Sequence, residues 1–116
     1  MPRKNEIDYL AEIAATLGSS EGAGVTQNIV TSPATVANQN VSPLPARATR
    51  QYLLIQNLSD TAMNVNFGAN ASATTMLLPA NGGGVEFSGA YVPLSAVNIF
   101  CTAASKPYYI LEAYST

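Results

Sequence analysis

Residues 50–116 offer little to a reaction: three carboxylates, Asp60, Glu86 and Glu112, one thiol, Cys101, and several hydroxyls. The chain contains no histidine. Nucleophilic catalysis by Ser, Thr or Cys needs a neighbouring base, and the usual base is absent, so Ser-His-Asp chemistry is excluded. One cysteine without histidine cannot assemble a zinc site. Paired carboxylates can act as acid and base on glycosides, but each acid here has a plainer role. Asp60 falls in a turn and Glu86 on an exposed strand face, while Glu112 falls on an exposed face or pairs with Lys106 or Arg50. No spaced Asp and Asn loop of the EF-hand kind is present. Gly82 to Gly84 lacks the Lys and Ser or Thr of a phosphate loop and falls between strands, so it reads as a turn. The expectation is no enzyme, and no catalytic, cofactor or metal site.

The aromatic residues point to contact rather than reaction. Tyr91, Tyr108, Tyr109 and Tyr114 could stack on sugar rings, but tyrosine is equally expected at buried strand positions and subunit interfaces, and no Trp accompanies them. Tyr91, Tyr108 and Tyr109 are the candidates for an interface. Cys101, with no partner for a disulfide, reads as a small core residue. Asn57-Leu58-Ser59 and Asn70-Ala71-Ser72 match the glycosylation pattern but read as chance matches in an Asn-rich chain.

The elements that must hold these residues are strands. Tyr52 to Gln56 is a continuous apolar run of the buried-strand type, and Met63, Val65 and Phe67 alternate with Asn64 and Asn66. Asn57-Leu58-Ser59-Asp60 between them predicts a hairpin. Further short strands are expected at Thr75 to Leu78, around Val85 and Phe87, at Ala96 to Cys101 and at Tyr108 to Tyr114, with Lys106 and Pro107 in the last turn. Six or so strands without intervening helices predict an all-β domain over residues 50–116, a small antiparallel β-sandwich or barrel of jelly-roll-like type.

Ahead of it, a short amphipathic α-helix is expected within residues 1–18. Asn5 suits the N-cap, Glu6 and Asp8 the first turn, and Gly18 the C′ position. Ile7, Leu10, Ile13, Ala14 and Leu17 form one apolar stripe. A helix of about 12 residues is marginal alone in water, so the stripe is expected to dock, on this chain's own domain or on a neighbouring subunit or other protein. Ile7, Leu10, Ile13 and Leu17 are therefore interface candidates. Residues 19–49 carry no charge between Glu21 and Arg47 and are interrupted by Gly and Pro, which reads as an extended arm able to lend short strands to a sheet.

Composition sets the kind of partner. Only 10% of the 116 residues are charged and 47% are hydrophobic, with a net charge of -2, against about 25% charged in ordinary soluble domains. A surface of Asn, Ser, Thr, Ala and Gly is poor at electrostatic repulsion and suits close assembly. Five scattered Lys and Arg residues form no basic stripe, so nucleic acid is not an expected partner. No apolar stretch approaches the roughly 20 residues of a bilayer span, and the first residues lack a signal-peptide core. Manufacture and use in soluble form, without a membrane partner, is the expectation.

Several segments together resemble a known group. Arg50-Gln51-Tyr52-Leu53-Leu54-Ile55-Gln56-Asn57, Val65-Asn66-Phe67-Gly68, Leu78-Pro79-Ala80-Asn81-Gly82-Gly83, Glu86-Phe87 and Val92-Pro93-Leu94-Ser95-Ala96-Val97-Asn98 are similar to the strand and turn pattern of small structural proteins of tailed-bacteriophage virions. The resemblance spans about residues 50–99 and leaves out the N-terminal helix and arm. It implies a virion component such as a capsid decoration or cement protein or a head-fibre base. Such a protein would be made in the bacterial cytoplasm, carried on the capsid surface, commonly homotrimeric, and partnered by the major capsid protein without a cofactor. The competing expectation is a carbohydrate-binding or host-recognition module on a tail or fibre, with exposed Tyr91, Tyr108 or Tyr109 beside Asn side chains.

Overall fold

A computed structural model describes residues 24–116; the expected helix and its stripe lie outside them. Eight strands are present: β1 (Val25–Val30), β2 (Gln39–Leu44), β3 (Arg50–Asn57), β4 (Met63–Phe67), β5 (Met76–Leu78), β6 (Gly84–Ser88), β7 (Val97–Cys101) and β8 (Tyr108–Ser115). They form two antiparallel four-stranded sheets, ordered β1-β8-β3-β6 and β2-β7-β4-β5. The described chain is a β-sandwich.

Strand alternation builds the core. In β8, Tyr108, Ile110 and Glu112 are buried while Tyr109, Leu111 and Ala113 are half-buried on the outer side. In β3, Leu53, Ile55 and Asn57 point inward. The facing sheet contributes Met63 and Val65 from β4 and Val97, Ile99 and Cys101 from β7, all essentially inaccessible. Phe67 and Phe87 meet edge to face across the two sheets at 5.5 Å between ring centroids. Burying each such apolar side chain contributes about 1.5–3 kcal/mol.

Two expectations are corrected. Residues 25–44 are not an arm outside the domain, because β1 pairs along β8 from Val25↔Ser115 to Val30↔Ile110 and β2 pairs with β7. The intervening loop is also clasped: the Thr35 hydroxyl donates to the Ala103 carbonyl at 2.8 Å and accepts from the Lys106 amide at 2.9 Å. The pattern of β1 is weak because strand formation here comes from pairing with a neighbour, which a local period does not record. Pro43 is tolerated because β2 is an edge strand.

The second correction concerns the hairpin at residues 57–60. β3 and β4 belong to opposite sheets, so this turn is an arch across the sandwich. Only β4 and β5 are both consecutive and paired; every other connection passes between sheets. Turn residues mark where a chain reverses and say nothing of which sheet receives the next strand.

Asn57 fixes that arch. Its buried amide donates to the carbonyls of Thr61 and Leu78 at 2.9 and 3.1 Å, and its Oδ1 accepts from the amide and hydroxyl of Ser59 at 2.9 and 2.7 Å. Its backbone pairs with the glycine loop, donating to the Gly83 carbonyl and accepting from the Gly82 amide, both at 2.8 Å. Gly83 lies so close to Pro79 that a Cβ there would sit 2.8 Å from the proline nitrogen. Replacing Asn57 with Ala strands several buried polar groups, each costing about 1–3 kcal/mol when unsatisfied. Asn57→Ala is expected to lower unfolding free energy by about 3 kcal/mol, read from the urea midpoint; an unchanged midpoint would contradict the assigned role.

Candidate functional site

A β-bulge aims one arginine at one glutamate. Register shifts between Arg50 and Tyr52, so Arg50 lies opposite Tyr114 on the inner face while Tyr52, opposite Ala113, points out. The extra residue, Gln51, is exposed. Without it, strict alternation would put Arg50 on the outer face with Tyr52.

Inside, Arg50 Nε donates to Glu112 Oε1 at 2.9 Å, and both side chains are fully buried. Arg50 Nη1 donates to the carbonyls of Pro93 and Ser95 at 2.7 and 3.0 Å, and Nη2 to that of Pro45 at 2.8 Å. Arg47 Nε reaches the same Glu112 oxygen at 3.0 Å, and its guanidinium lies 3.6 Å from the centroid of the Tyr114 ring. Asn28 of β1 donates to Glu112 Oε2 at 3.0 Å. Burial alone would push the Glu112 pKa up, but hydrogen bonds from Arg47, Asn28 and Arg50, with the charge of Arg50, outweigh it and hold the carboxyl below its ordinary value. The cluster is a structural joint: its carboxylate is ionised, saturated and sealed from solvent.

The remaining acids lie in separate neighbourhoods. Asp60 receives Lys106 Nζ at 2.7 Å at the β3–β4 arch, and this contact is the main cause of its lowered pKa. Glu86, exposed on β6, accepts from the Tyr52 hydroxyl, whose pKa that bond raises. The described residues hold no group of three or more potential metal ligands. All six charged side chains of residues 24–116, namely Arg47, Arg50, Asp60, Glu86, Lys106 and Glu112, are thus engaged inside the chain. Glu112 was open between an exposed face and a partner; it is buried, and Lys106 goes to Asp60.

The candidate tyrosines do not form one site. Tyr91 is 86% exposed on the short turn Gly89–Tyr91 after β6. Tyr109 is half-buried on the outer face, opposite Gln56 and so at the other end of β6. Tyr108 is no surface residue: it is fully buried, its hydroxyl has no hydrogen-bond partner, and desolvation pushes its pKa up to about 12. Alternation assigns adjacent tyrosines to opposite faces, and Tyr108 takes the inner one. Ile7, Leu10, Ile13 and Leu17 lie outside the described residues.

One surface escaped the sequence reading. Residues directly opposite on paired strands share a face, and the outer side of the β1-β8-β3 sheet places Ile29, Leu111 and Leu54 in one row, with Ala113 and Tyr52 beside it. Ile29 is 58% exposed and the others half-buried. The signal was the run Leu53-Leu54-Ile55, apolar on both faces. The opposite sheet differs: on its outer side Asn40, Asn98, Asn64 and Asn66 fasten the β4–β5 loop through Ala71, Ala69, Thr75 and Asn70, with Phe100 and exposed Leu77 in the same row as Asn40 and Asn64.

Without Arg50, Glu112 keeps Arg47 and Asn28 but loses its one fully buried cation, and the carbonyls of Pro45, Pro93 and Ser95 lose their donor, at a cost of about 3 kcal/mol. Arg50→Ala is expected to lose that much in chemical denaturation. The folded pKa of Glu112 lies below the ordinary 4.5, so the unfolded chain takes up the proton first. The stabilisation is complete above pH 4.5 and disappears as pH falls through the folded value. Glu112→Gln should therefore be weaker at neutral pH and show a flatter acid limb; a wild-type acid limb in the variant would contradict this. Tyr108→Phe removes an unpaired buried hydroxyl and is expected to raise stability by about 1 kcal/mol, measured in the same way.

Comparison with protein-family models, with curated proteins and with solved structures returned no match.

Proposed function

We propose that this chain is a non-enzymatic structural protein of a phage virion, a decoration or cement protein that binds the assembled capsid surface and stabilises the shell. The observation that carries the reading is the consumption of every charged side chain of residues 24–116 by internal partners. What remains outward carries few charges, Asp60, Lys106 and Glu86 among them and each held by a partner in the chain, and a surface so sparse in free charge suits permanent packing against other protein. The mechanism is mass action: a ligand of the assembled shell that ignores its free subunits makes disassembly less favourable.

Two further features support it. Strand order β1-β8-β3-β6 facing β2-β7-β4-β5 is that of an eight-stranded jelly roll, an architecture used by viral capsid and lectin domains; fold alone does not assign function. The segments that carry the phage resemblance are joints of this sandwich: Arg50 grips Pro93 and Ser95, and Asn57 grips Leu78 and the glycine loop. The chain would act as a homotrimer on the capsid, with the major capsid protein as partner. A carbohydrate-binding role on a tail or fibre is favoured by one observation, the 86% exposure of Tyr91.

Purified full-length protein is expected to run as a trimer in native mass spectrometry and to co-sediment at saturable stoichiometry with empty heads of the encoding virus. Heads carrying it should release their subunits at higher denaturant than bare heads. A monomer that stays in the supernatant would sink the proposal. Glycan-array binding abolished by Tyr91→Ala would select the carbohydrate reading instead.

A further inference from the structure

Asn81 is the one asparagine of the chain that a glycine follows, and it lies exposed in the loop between β5 and β6. That neighbour has a chemical consequence. The backbone nitrogen of the following residue can attack the asparagine Cγ: a C–N bond forms, the side-chain amide leaves as ammonia, and the ring closes to a succinimide. Water then opens the ring at either carbonyl. One opening gives aspartate, and the other gives isoaspartate, in which the backbone runs through Cγ. Glycine has no Cβ to crowd the attack, whereas every other asparagine here is followed by a residue that carries a side chain.

The fold withholds the nucleophile. The Gly82 amide donates to the Asn57 carbonyl at 2.8 Å, so the nitrogen that must shed its proton and turn toward Cγ is committed to the end of β3. Its neighbours are held as well. The Asn81 amide donates to the Ser59 carbonyl at 2.7 Å, Asn57 donates back to the Gly83 carbonyl at 2.8 Å, and Gln56 Nε2 donates to the Gly82 carbonyl at 3.2 Å. Gly84 lies so close to β3 that a Cβ there would sit 2.8 Å from the Ile55 carbonyl oxygen. Asn81 and Gly82 are fixed at φ of 61° and 100°. Bringing the Gly82 nitrogen onto Cγ means undoing this docking. We infer that Asn81-Gly82 is a self-modification site guarded by the β3–β4 arch: it is inert while the glycine loop is docked on Asn57 and Ser59, and it converts to aspartate and isoaspartate when the loop lifts.

The conversion is one-way because its products fit the arch poorly. Either product adds a negative charge to a corner that already holds Asp60, with Lys106 as its partner. Isoaspartate also inserts an extra backbone carbon between the amides of residues 81 and 82, so the bonds to Ser59 and Asn57 are not both recovered. A buried carbonyl left without its donor opposes redocking. Loops open locally at a lower free-energy cost than the whole domain unfolds, and a reaction confined to the open state runs at the unfolded rate multiplied by the fraction open. The site thereby records the time its own arch has spent apart. The inference is independent of the virion proposal, and its test needs the chain alone.

Purified full-length protein is held at one mildly alkaline pH, either folded or in guanidinium chloride, and conversion at Asn81 is followed by peptide mapping with mass spectrometry, the aspartyl and isoaspartyl peptides being separated. The folded protein is expected to convert at least about tenfold more slowly than the unfolded chain. Gly82→Ala, measured unfolded, should slow conversion by a similar factor, which identifies the attacking nitrogen. Asn57→Ala and Arg50→Ala remove buried contacts at opposite ends of β3; under folding conditions Asn57→Ala should speed conversion several-fold more than Arg50→Ala. Protein converted while unfolded and then refolded should show a lower urea midpoint than unconverted protein treated alike. Equal rates in the folded and unfolded chain, or no conversion at Asn81 in either, overturn the inference. So does equal acceleration by the two variants, which would place the protection in global stability and take it away from the arch.

Discussion

The sandwich is organised around a carboxylate that cannot reach water. Glu112 on β8 is held by Arg50 of β3, by Arg47 from the β2–β3 connection and by Asn28 of β1, so one side chain ties three adjacent segments of a sheet together. Arg50 then carries the connection outward to the carbonyls of Pro45, Pro93 and Ser95. Buried ion pairs are weak contributors to net stability when compared with apolar replacements, because desolvation offsets much of the attraction. Their effect is directional. A wrong register at β3 would leave a guanidinium and a carboxylate buried apart, which the fold cannot tolerate.

Much of the strand pattern was legible because period-two alternation is local. Met63-Asn64-Val65-Asn66-Phe67 could be read as a half-buried strand from five letters, and the glycine loop and the turn at Lys106-Pro107 from their backbone preferences. Pairing was not legible. β1 and β2 earn their place from β8 and β7, some eighty and sixty residues further on, and no local window contains that information. The burial of Glu112 was hidden for a related reason: a Glu between Leu111 and Ala113 looks solvated until a bulge at Gln51, in another strand, turns an arginine inward to meet it.

The two outer faces show how one composition serves two ends. On the β2-β7-β4-β5 sheet, asparagines in outward positions spend their amides on the chain's own loop and so finish that surface. On the other sheet Ile29, Leu111 and Leu54 form an outward apolar row that gains by losing water, with Gln27, Gln56 and Glu86 sharing the same face. The asparagines set the first face apart, although Phe100 and exposed Leu77 lie in the same row as Asn40 and Asn64.

The pairing of β1 with β8 also bears on how the protein comes into being. Val25 finds its partner only in Ser115, so a chain emerging from the ribosome must keep β1 idle until β8, some eighty residues further on, has been made. During that interval two unpaired strand edges are open to other nascent copies. Non-local closure of this kind is slow, and a chain with so few charges has little electrostatic protection in that interval. Late closure makes the arrival of β8 the moment when the edge of β1 is first sealed against accidental pairing.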